Sequence, residues 1–129
     1  MPQNDTWGRT YEGYSENYNL VSELGTNFIL GLQGEGDSFL SKNKVLATAK
    51  HFLGDGGTDQ GIDQGNTIIS ASKLKEIHGT PYYDVIDSCA LSIMASFNSW
   101  NGKKLHGDRY LLTEILKTQM EFDGFIVGD

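Results

Sequence analysis

Three short apolar segments, separated by stretches with a helical pattern, constrain the fold of this chain more than any other feature of its sequence. The segments span residues 45–52 (VLATAKHF), 91–97 (LSIMASF) and 125–127 (FIV). Such short apolar runs are typical of buried strands rather than of surface helices. The stretches between them are long enough to cross over as helices, so the sequence predicts an α/β fold with a parallel sheet.

The helix predictions depend on apolar residues that recur every three or four positions. The first helix is expected to bury a stripe that consists of Leu20, Leu24, Phe28 and Leu32, with Val21 and Ile29 beside them. We expect Gly31 and Gly34 to end this helix. A second helical pattern is expected to break at Gly79 and to restart with Thr80 as its N-cap. Asp108 is predicted to cap a third helix.

The charge balance argues against two classes of partner. The chain has 10 Lys and Arg residues against 17 Asp and Glu residues, and its net charge is −7. The basic residues are scattered, so we expect no nucleic acid and no anionic membrane as partner. No apolar run approaches the roughly 20 residues of a membrane span. Cys89 is the only cysteine, which excludes an internal disulfide, and it is predicted to be a buried, inert thiol.

Motifs for cofactors and metals fail when their spacing is checked. The chain has no G-x-x-x-x-G-K-[ST] segment, and residues 34–36 (GEG) lack the third glycine of a dinucleotide-binding loop. Residues 59–63 (DQGID) resemble the start of a calcium loop, but Gln64 replaces its required glycine. The histidines are widely spaced, without the pattern of a zinc site; they are His51, His78 and His106. We therefore expect no cofactor and no metal.

Polar side chains lie at or just after the ends of all three predicted strands. They are Lys50, His51, Asn98, Trp100 and Asp129. Ligands of parallel α/β folds bind at the carboxyl ends of strands, so we expect these residues, and the glycine-rich loop 54–67, to meet on one face. A cation, an imidazole, an indole and a carboxylate suit a neutral, hydroxyl-rich ligand such as a sugar. The alternative is that Lys50 and His51 are a solvated strand end and that Asp129 is a turn residue.

Four sequence blocks, taken together, resemble one known family. They are residues 7–16 (WGRTYEGYSE), 49–58 (AKHFLGDGGT), 96–102 (SFNSWNG) and 124–129 (GFIVGD). In this order and spacing they closely resemble glycoside hydrolase family 3, of the β-glucosidase and exo-β-glucanase type. The resemblance covers essentially the whole chain, and a block such as WGRTYEGYSE is far more specific than a three-residue motif.

The resemblance implies a fold and a domain organisation. The catalytic domain of the family is a (β/α)8 TIM-type barrel, and such a barrel needs roughly 250 residues. Residues 1–129 are therefore expected to be an incomplete N-terminal barrel domain with no second domain. The remainder of the barrel is expected before Met1, and the second domain is expected after Asp129.

The resemblance also assigns roles to individual residues. Asp129 matches the catalytic nucleophile, a carboxylate that attacks the anomeric carbon of the sugar. Five residues are expected to bind substrate: Arg9, Lys50, His51, Phe97 and Trp100. Phe97 stands where some plant members carry a tyrosine, so a hydrogen bond from that position to the nucleophile is not expected.

The implied function is hydrolysis of O-glycosyl bonds by a retaining, exo-acting β-glucosidase or β-glucanase. It would release glucose from the non-reducing end of a β-glucoside or β-glucan oligosaccharide through a covalent glycosyl-aspartate. Asp55 favours the glucosidase branch, in which a glutamate of the following domain donates the proton; members acting on N-acetylglucosamine carry a histidine in this loop. The alternative is an inactive sugar-binding or structural fragment without that glutamate, and the isolated chain is expected to be inactive.

Overall fold

The computed structural model describes the whole chain, from Met1 to Asp129, as short strands alternating with helices. The strands are β1 (Thr48–Phe52), β2 (Asn66–Thr67), β3 (Ser92–Ala95), β4 (Ser99–Trp100), β5 (Lys103–Lys104) and β6 (Phe125–Gly128). The helices are α1 (Tyr18–Gln33), α2 (Ala71–Lys73), α3 (Thr80–Asp87) and the π-wound α4 (Tyr110–Gln119), with a π-helical turn at Leu74–Gly79 between α2 and α3. None of these helices has the length and the apolar character needed to cross a membrane.

The main sheet contains β1, β3 and β6 in that spatial order, and its strands run parallel. Helices α2 and α3 connect β1 to β3, and α4 connects β3 to β6. Parallel neighbours require such crossovers, so the predicted α/β class with a parallel sheet is confirmed. In a second, smaller sheet, β4 pairs in parallel with β2 and antiparallel with β5.

The core lies between the main sheet and the helices that cover it. Phe52 of β1 and Ile93 of β3 are fully buried and belong to one cluster with Leu74 and Leu116. The rings of Phe52 and Tyr82 meet edge-on, with their centroids 4.9 Å apart. Complete burial contributes about 1.5–3 kcal/mol for a side chain of this size, so these contacts fix the strands that carry the polar residues.

The predicted buried face of α1 is wrong for half of its residues. Leu20, Leu24 and Phe28 are exposed, by 43%, 40% and 56%. Ile29 is buried and Val21 and Leu32 are half-buried, while Ser22 and Gln33 complete the buried face. The side-chain amide of Gln33 donates to the Cys89 carbonyl at 2.8 Å and accepts from the Ala47 N–H at 3.1 Å. These buried bonds join α1 to the segments that lead into β1 and β3, and they set which face of the helix points inward.

Two element boundaries also differ from the prediction. Helix α1 continues through Gly31 and ends at Gly34, whose φ of 76° favours glycine. Strand β1 begins at Thr48, later than the predicted Val45. The reason is that the Val45 N–H donates to the Leu32 carbonyl at 2.9 Å, so the backbone at Val45 is bonded to the last turn of α1 and not to a neighbouring strand.

The predicted break at Gly79 is wrong, because the helical path is continuous there. Gly79 has right-handed helical angles, with φ −84° and ψ −36°. Thr80 is not an N-cap, since its hydroxyl donates to the Glu76 carbonyl at 2.8 Å. Pro81 has no N–H to bond back to the preceding turn, and the helix widens into its π-helical turn immediately before it.

Two predictions for single residues have opposite outcomes. Asp108 does cap the helix that precedes β6, because its carboxylate accepts from the Leu111 N–H at 3.2 Å. Cys89 is exposed, so the prediction of a buried thiol is wrong. It adopts a left-handed φ of 62° in the turn after α3, and its place in an apolar stretch does not reveal that turn.

Candidate active site

Three parts of the chain meet at the carboxyl end of the main sheet. His51 lies in β1, Asp129 directly follows β6, and Arg9 comes from the segment before α1. The guanidinium of Arg9 lies over the Trp7 ring, 5.5 Å from its centroid. The N-terminal segment is held against the glycine-rich loop, since Gln3 N–H donates to the Gly56 carbonyl at 2.7 Å.

Glu12 joins two of the predicted sugar-binding residues. Its carboxylate accepts from Nε and Nη2 of Arg9 at 2.9 and 3.0 Å, and from Nζ of Lys50 at 2.9 Å. The hydrogen bond from Arg9, and to a smaller extent the one from Lys50, lowers the pKa of Glu12 to about 2. The same bond to Glu12 raises the pKa of Arg9. The carboxylate is thus ionised, and both cations are oriented before any ligand binds.

Asp55 plays the same part on the other side of Arg9. Its Oδ2 lies 3.1 Å from His51 Nδ1 and 3.4 Å from Arg9 Nη1. The side chains of Asp55 and His51 are only 5% and 6% exposed, so both polar groups depend on these partners. Arg9 Nη2 also lies 3.4 Å from His51 Nε2, and Asp63 Oδ1 lies 3.5 Å from Arg9 Nη1 at the solvent side.

Asp129 borders this charged cluster. Its Oδ2 lies 3.8 Å from His51 Nε2, and its side chain is 30% exposed, which leaves a carboxylate oxygen open to a ligand. The backbone N–H of Asp129 points to Nε2 of His106 at 3.3 Å. The Asp129 carboxylate is therefore adjacent to the sugar-binding candidates. The backbone of Asp129 is held by His106, which lies in the turn after β5.

The remaining predicted site residues lie outside the charged cluster. Phe97 is 40% exposed and packs edge-on against His106, with ring centroids 5.3 Å apart. His106 also lies 3.3 Å from the backbone N–H of Asp129, so Phe97 is linked to Asp129 only through the His106 ring. The indole N–H of Trp100 donates to the Ile69 carbonyl at 2.9 Å. The fully buried side-chain amide of Asn98 donates to the Thr67 hydroxyl at 2.9 Å, and the structure does not bring Trp100 and Asn98 into contact with the cluster.

Three residues of the site, Glu12, Asp55 and His106, are not among the site residues that the sequence predicts. Glu12 follows Arg9 at a spacing of three, and Asp55 follows His51 at a spacing of four. Both pairs lie inside the sequence blocks, and their opposite charges are a usable signal. His106 is 23 residues from Asp129 in the chain, and no local pattern indicates that they meet.

A cleft of about 310 Å³ opens beside the cluster. Glu12, Lys50 and His51 form part of its polar wall, while Phe28 and Tyr82 contribute to its apolar wall. No group of three or more His, Cys, Asp or Glu side chains is arranged to hold a metal ion. The charged cluster thus offers hydrogen-bond donors and the partly exposed carboxylate of Asp129, while the cleft, which neither Arg9 nor Asp129 lines, adds apolar surface beside them.

Known proteins are similar to this chain in sequence. The family model described as glycosyl hydrolase family 3 N terminal domain matches residues 1–129. A β-xylosidase of Formosa agariphila is 39% identical over 95% of this chain, which covers 17% of that protein. A periplasmic β-glucosidase of Salmonella typhimurium is 28% identical over 95% of the chain, which covers 16% of it.

Solved structures agree with the sequence matches. An exo-1,3/1,4-β-glucanase from a Pseudoalteromonas species superposes with a TM-score of 0.97 at 51% identity, over 99% of this chain and 16% of that one. A β-glucosidase from Listeria innocua in complex with glucose gives a TM-score of 0.92 at 27% identity, over 100% of this chain and 18% of that one. The chain spans about a sixth of the length of these relatives. The prediction of α/β structure that forms part of a (β/α)8 barrel is confirmed.

Proposed function

Since the chain belongs to glycosyl hydrolase family 3, we propose that it supplies the nucleophile and the sugar-binding residues of a retaining, exo-acting β-glucosidase or β-glucanase. The observation that carries this proposal is the 3.8 Å approach of the Asp129 carboxylate to His51, beside the hydrogen-bonded Arg9. A partly exposed carboxylate next to a set of ordered hydrogen-bond donors has the parts needed to hold a sugar and attack it.

The proposed reaction has two displacements. In the first, a carboxylate oxygen of Asp129 forms a bond to the anomeric carbon while the bond from that carbon to the leaving oxygen breaks. The leaving oxygen takes a proton from a general acid, which the family resemblance assigns to a glutamate of a following domain. In the second, water attacks the same carbon, gives up a proton to that glutamate and releases glucose and free Asp129.

The charge of the cluster suits an oxocarbenium-like transition state. Arg9 and Lys50 are positive, and by themselves they would oppose the positive charge that develops on the sugar ring. Glu12 and Asp55 offset them, and with Asp129 these three carboxylates outnumber the two cations. Arg9 and Lys50 can therefore bind sugar hydroxyls without destabilising the transition state.

The proposed substrate is a β-glucoside or a β-glucan oligosaccharide, because the Pseudoalteromonas exo-1,3/1,4-β-glucanase is 51% identical to this chain over 99% of its length. A β-xyloside is the second candidate, because the Formosa agariphila relative at 39% identity is a β-xylosidase. The two sugars differ by the exocyclic CH2OH group, so the choice depends on space beside that group.

Kinetics on paired substrates test the proposal. The protein required is an intact enzyme, meaning a complete family 3 polypeptide that carries these 129 residues. We expect a higher kcat/KM for an aryl β-glucoside than for the matching β-xyloside, and NMR of the first product should show β-glucose. Higher kcat/KM on the xyloside would select the second candidate. Initial release of α-glucose would contradict the retaining mechanism.

A further inference from the structure

Asp55 is a buried carboxylate whose position is fixed by the turn after β1. Gly54, at a left-handed φ of 92°, sends the chain sharply away from the strand, and the Thr67 hydroxyl donates to its carbonyl at 2.8 Å. A side chain at position 54 would also approach Leu74 to 3.2 Å. The turn thereby directs the carboxylate of Asp55 back to His51, four residues earlier.

The partners of His51 determine where its ring proton lies. Nδ1 faces the Asp55 carboxylate at 3.1 Å, and the carboxylate pairs with Arg9 and accepts hydrogen bonds, so Nδ1 carries the proton. Nε2 faces Nη2 of Arg9 at 3.4 Å, and a guanidinium can only donate. Nε2 also lies 3.8 Å from Oδ2 of Asp129, but Arg9 is its nearer partner, and this makes Nε2 the acceptor nitrogen.

We propose that Asp55 is a positioning residue that holds His51 in its Nδ1–H form, so that Nε2 accepts a hydrogen bond from a substrate hydroxyl. The proposal rests on the proposed function for the identity of that substrate. It makes His51 different from its neighbours Arg9 and Lys50, which can only donate to the sugar. A ligand hydroxyl beside His51 Nε2 and Asp129, which lie 3.8 Å apart, can donate its one proton to Nε2 in place of the 3.4 Å contact with Arg9.

Deoxy and deoxyfluoro sugars distinguish an acceptor from a donor. Fluorine in place of a hydroxyl can accept a weak hydrogen bond and cannot donate one. If Nε2 accepts, the deoxy and deoxyfluoro sugars lose the same hydrogen bond and bind equally weakly. If Nε2 donates, the deoxyfluoro sugar retains part of it.

The experiment measures the affinity of glucose and of its single deoxy and deoxyfluoro analogues for the intact enzyme and its His51→Ala variant, because fluorine also slows the chemical step by withdrawing electrons from the ring. At the hydroxyl that His51 contacts, both replacements should weaken binding by about tenfold to a hundredfold, the range for an unpaired buried polar group. Both losses should disappear in His51→Ala. In Asp55→Asn, whose amide can donate to Nδ1 and reverse the tautomer, the deoxyfluoro sugar should bind better than the deoxy one.

The matched control is Asp63→Asn, which also loses a partner of Arg9 but does not contact His51. It should leave the order of the two sugars unchanged. The proposal is overturned if the deoxyfluoro sugar already binds better than the deoxy sugar in wild type, or if Asp55→Asn weakens the binding of all the sugars equally.

Calorimetric binding of glucose and its deoxy and deoxyfluoro analogues separates this proposal from the proposed function. The predicted binding pattern without hydrolysis would retain the role of Asp55 and reject the glucosidase assignment. Hydrolysis without that binding pattern would retain the glucosidase assignment and reject the role of Asp55. Absence of both hydrolysis and binding would overturn both.

Discussion

At the scale of single residues, the site consists of two carboxylates that each hold two hydrogen-bonding side chains. Glu12 holds Arg9 and Lys50, and Asp55 holds Arg9 and His51. The geometry of the proposed sugar-binding groups is therefore set before substrate arrives, which reduces reorganisation during the proposed reaction. Loss of Glu12 should free Lys50 and loss of Asp55 should free His51, while the remaining carboxylate still holds Arg9.

Truncation of the binding residues should lower catalysis more than substrate affinity in the ground state. Lys50→Ala or His51→Ala in the intact enzyme is expected to cost about 2–4 kcal/mol in kcat/KM for an aryl β-glucoside, because the lost hydrogen bonds strengthen as charge develops. The control is Lys73→Ala, which removes an exposed pair with Glu76. Unchanged kinetics in Lys50→Ala and His51→Ala, with normal folding, would place both residues outside the sugar site.

The carboxylate of Glu12 should make stability depend on pH in a defined window. Its folded pKa of about 2 is lower than its ordinary value of 4.5, so its stabilising effect is complete above pH 4.5 and is lost as pH falls toward 2. The Tm of wild type should exceed that of Glu12→Gln at neutral pH, and the difference should shrink across this window. Glu76→Gln serves as the surface control. A difference that stays constant as the pH is lowered through this window would contradict the ion pairs of Glu12.

Residues within the sequence blocks are easier to predict than their partners from other turns. The blocks indicate Arg9, Lys50 and Asp129, and the structure brings them to one end of the sheet. His106 lies outside the blocks, and its contact with Asp129 depends on the register of β3 and β6. Long-range contacts of this kind have no local signature.

At the scale of elements, the three main strands and their succession along the chain could be predicted, while helix orientation could not. The strands follow from short apolar runs, which are typical of parallel strands, although only β3 is largely buried and β1 and β6 are edge strands. The stripe on α1 is genuine in the sequence, but the fully buried amide of Gln33 determines the inward face. A buried hydrogen-bonding amide is invisible to apolar periodicity, which treats glutamine as a surface residue.

Two glycine substitutions test how the elements are packed. A Cβ at Gly124 would collide with the Leu91 carbonyl and the Phe122 ring just before β6, so Gly124→Ala should lower the Tm of the intact enzyme and reduce activity through Asp129. Gly31, inside α1, has open space around it. Gly31→Ala should raise stability by about 0.5–1 kcal/mol, the helix-propensity difference. Equal Tm changes for the two variants would contradict the described packing.

At the scale of the whole molecule, the main sheet ends in two open edges. β1 and β6 each pair only with β3 in this sheet, and Phe125 of β6 is exposed. Open edges of a parallel sheet expose unpaired backbone groups, which in a closed barrel are bonded to further strands. The open edges and the coverage of about a sixth of each relative fit a chain that works within a larger barrel.

The 129 residues on their own should therefore hydrolyse an aryl β-glucoside no faster than buffer. The reasons are the open strand edges and the proposed assignment of the general acid to a following domain. Initial rates of the purified chain and of its Asp129→Ala variant provide the measurement. Clear turnover by the chain that Asp129→Ala abolishes would contradict this prediction.

The central claim is that Asp129 is the nucleophile, and a trapped intermediate tests it most directly. A 2-fluoro β-glucoside with a good leaving group slows the second displacement more than the first, so the glycosyl-enzyme accumulates. After proteolysis of the intact enzyme, mass spectrometry should find one 2-fluoroglucosyl group on the peptide that contains residues 125–129, attached to Asp129. Asp129→Gly should take up no label and should regain partial activity with azide, giving a glycosyl azide of inverted configuration. A label on any other carboxylate, together with turnover by Asp129→Gly in the absence of azide, would contradict the claim.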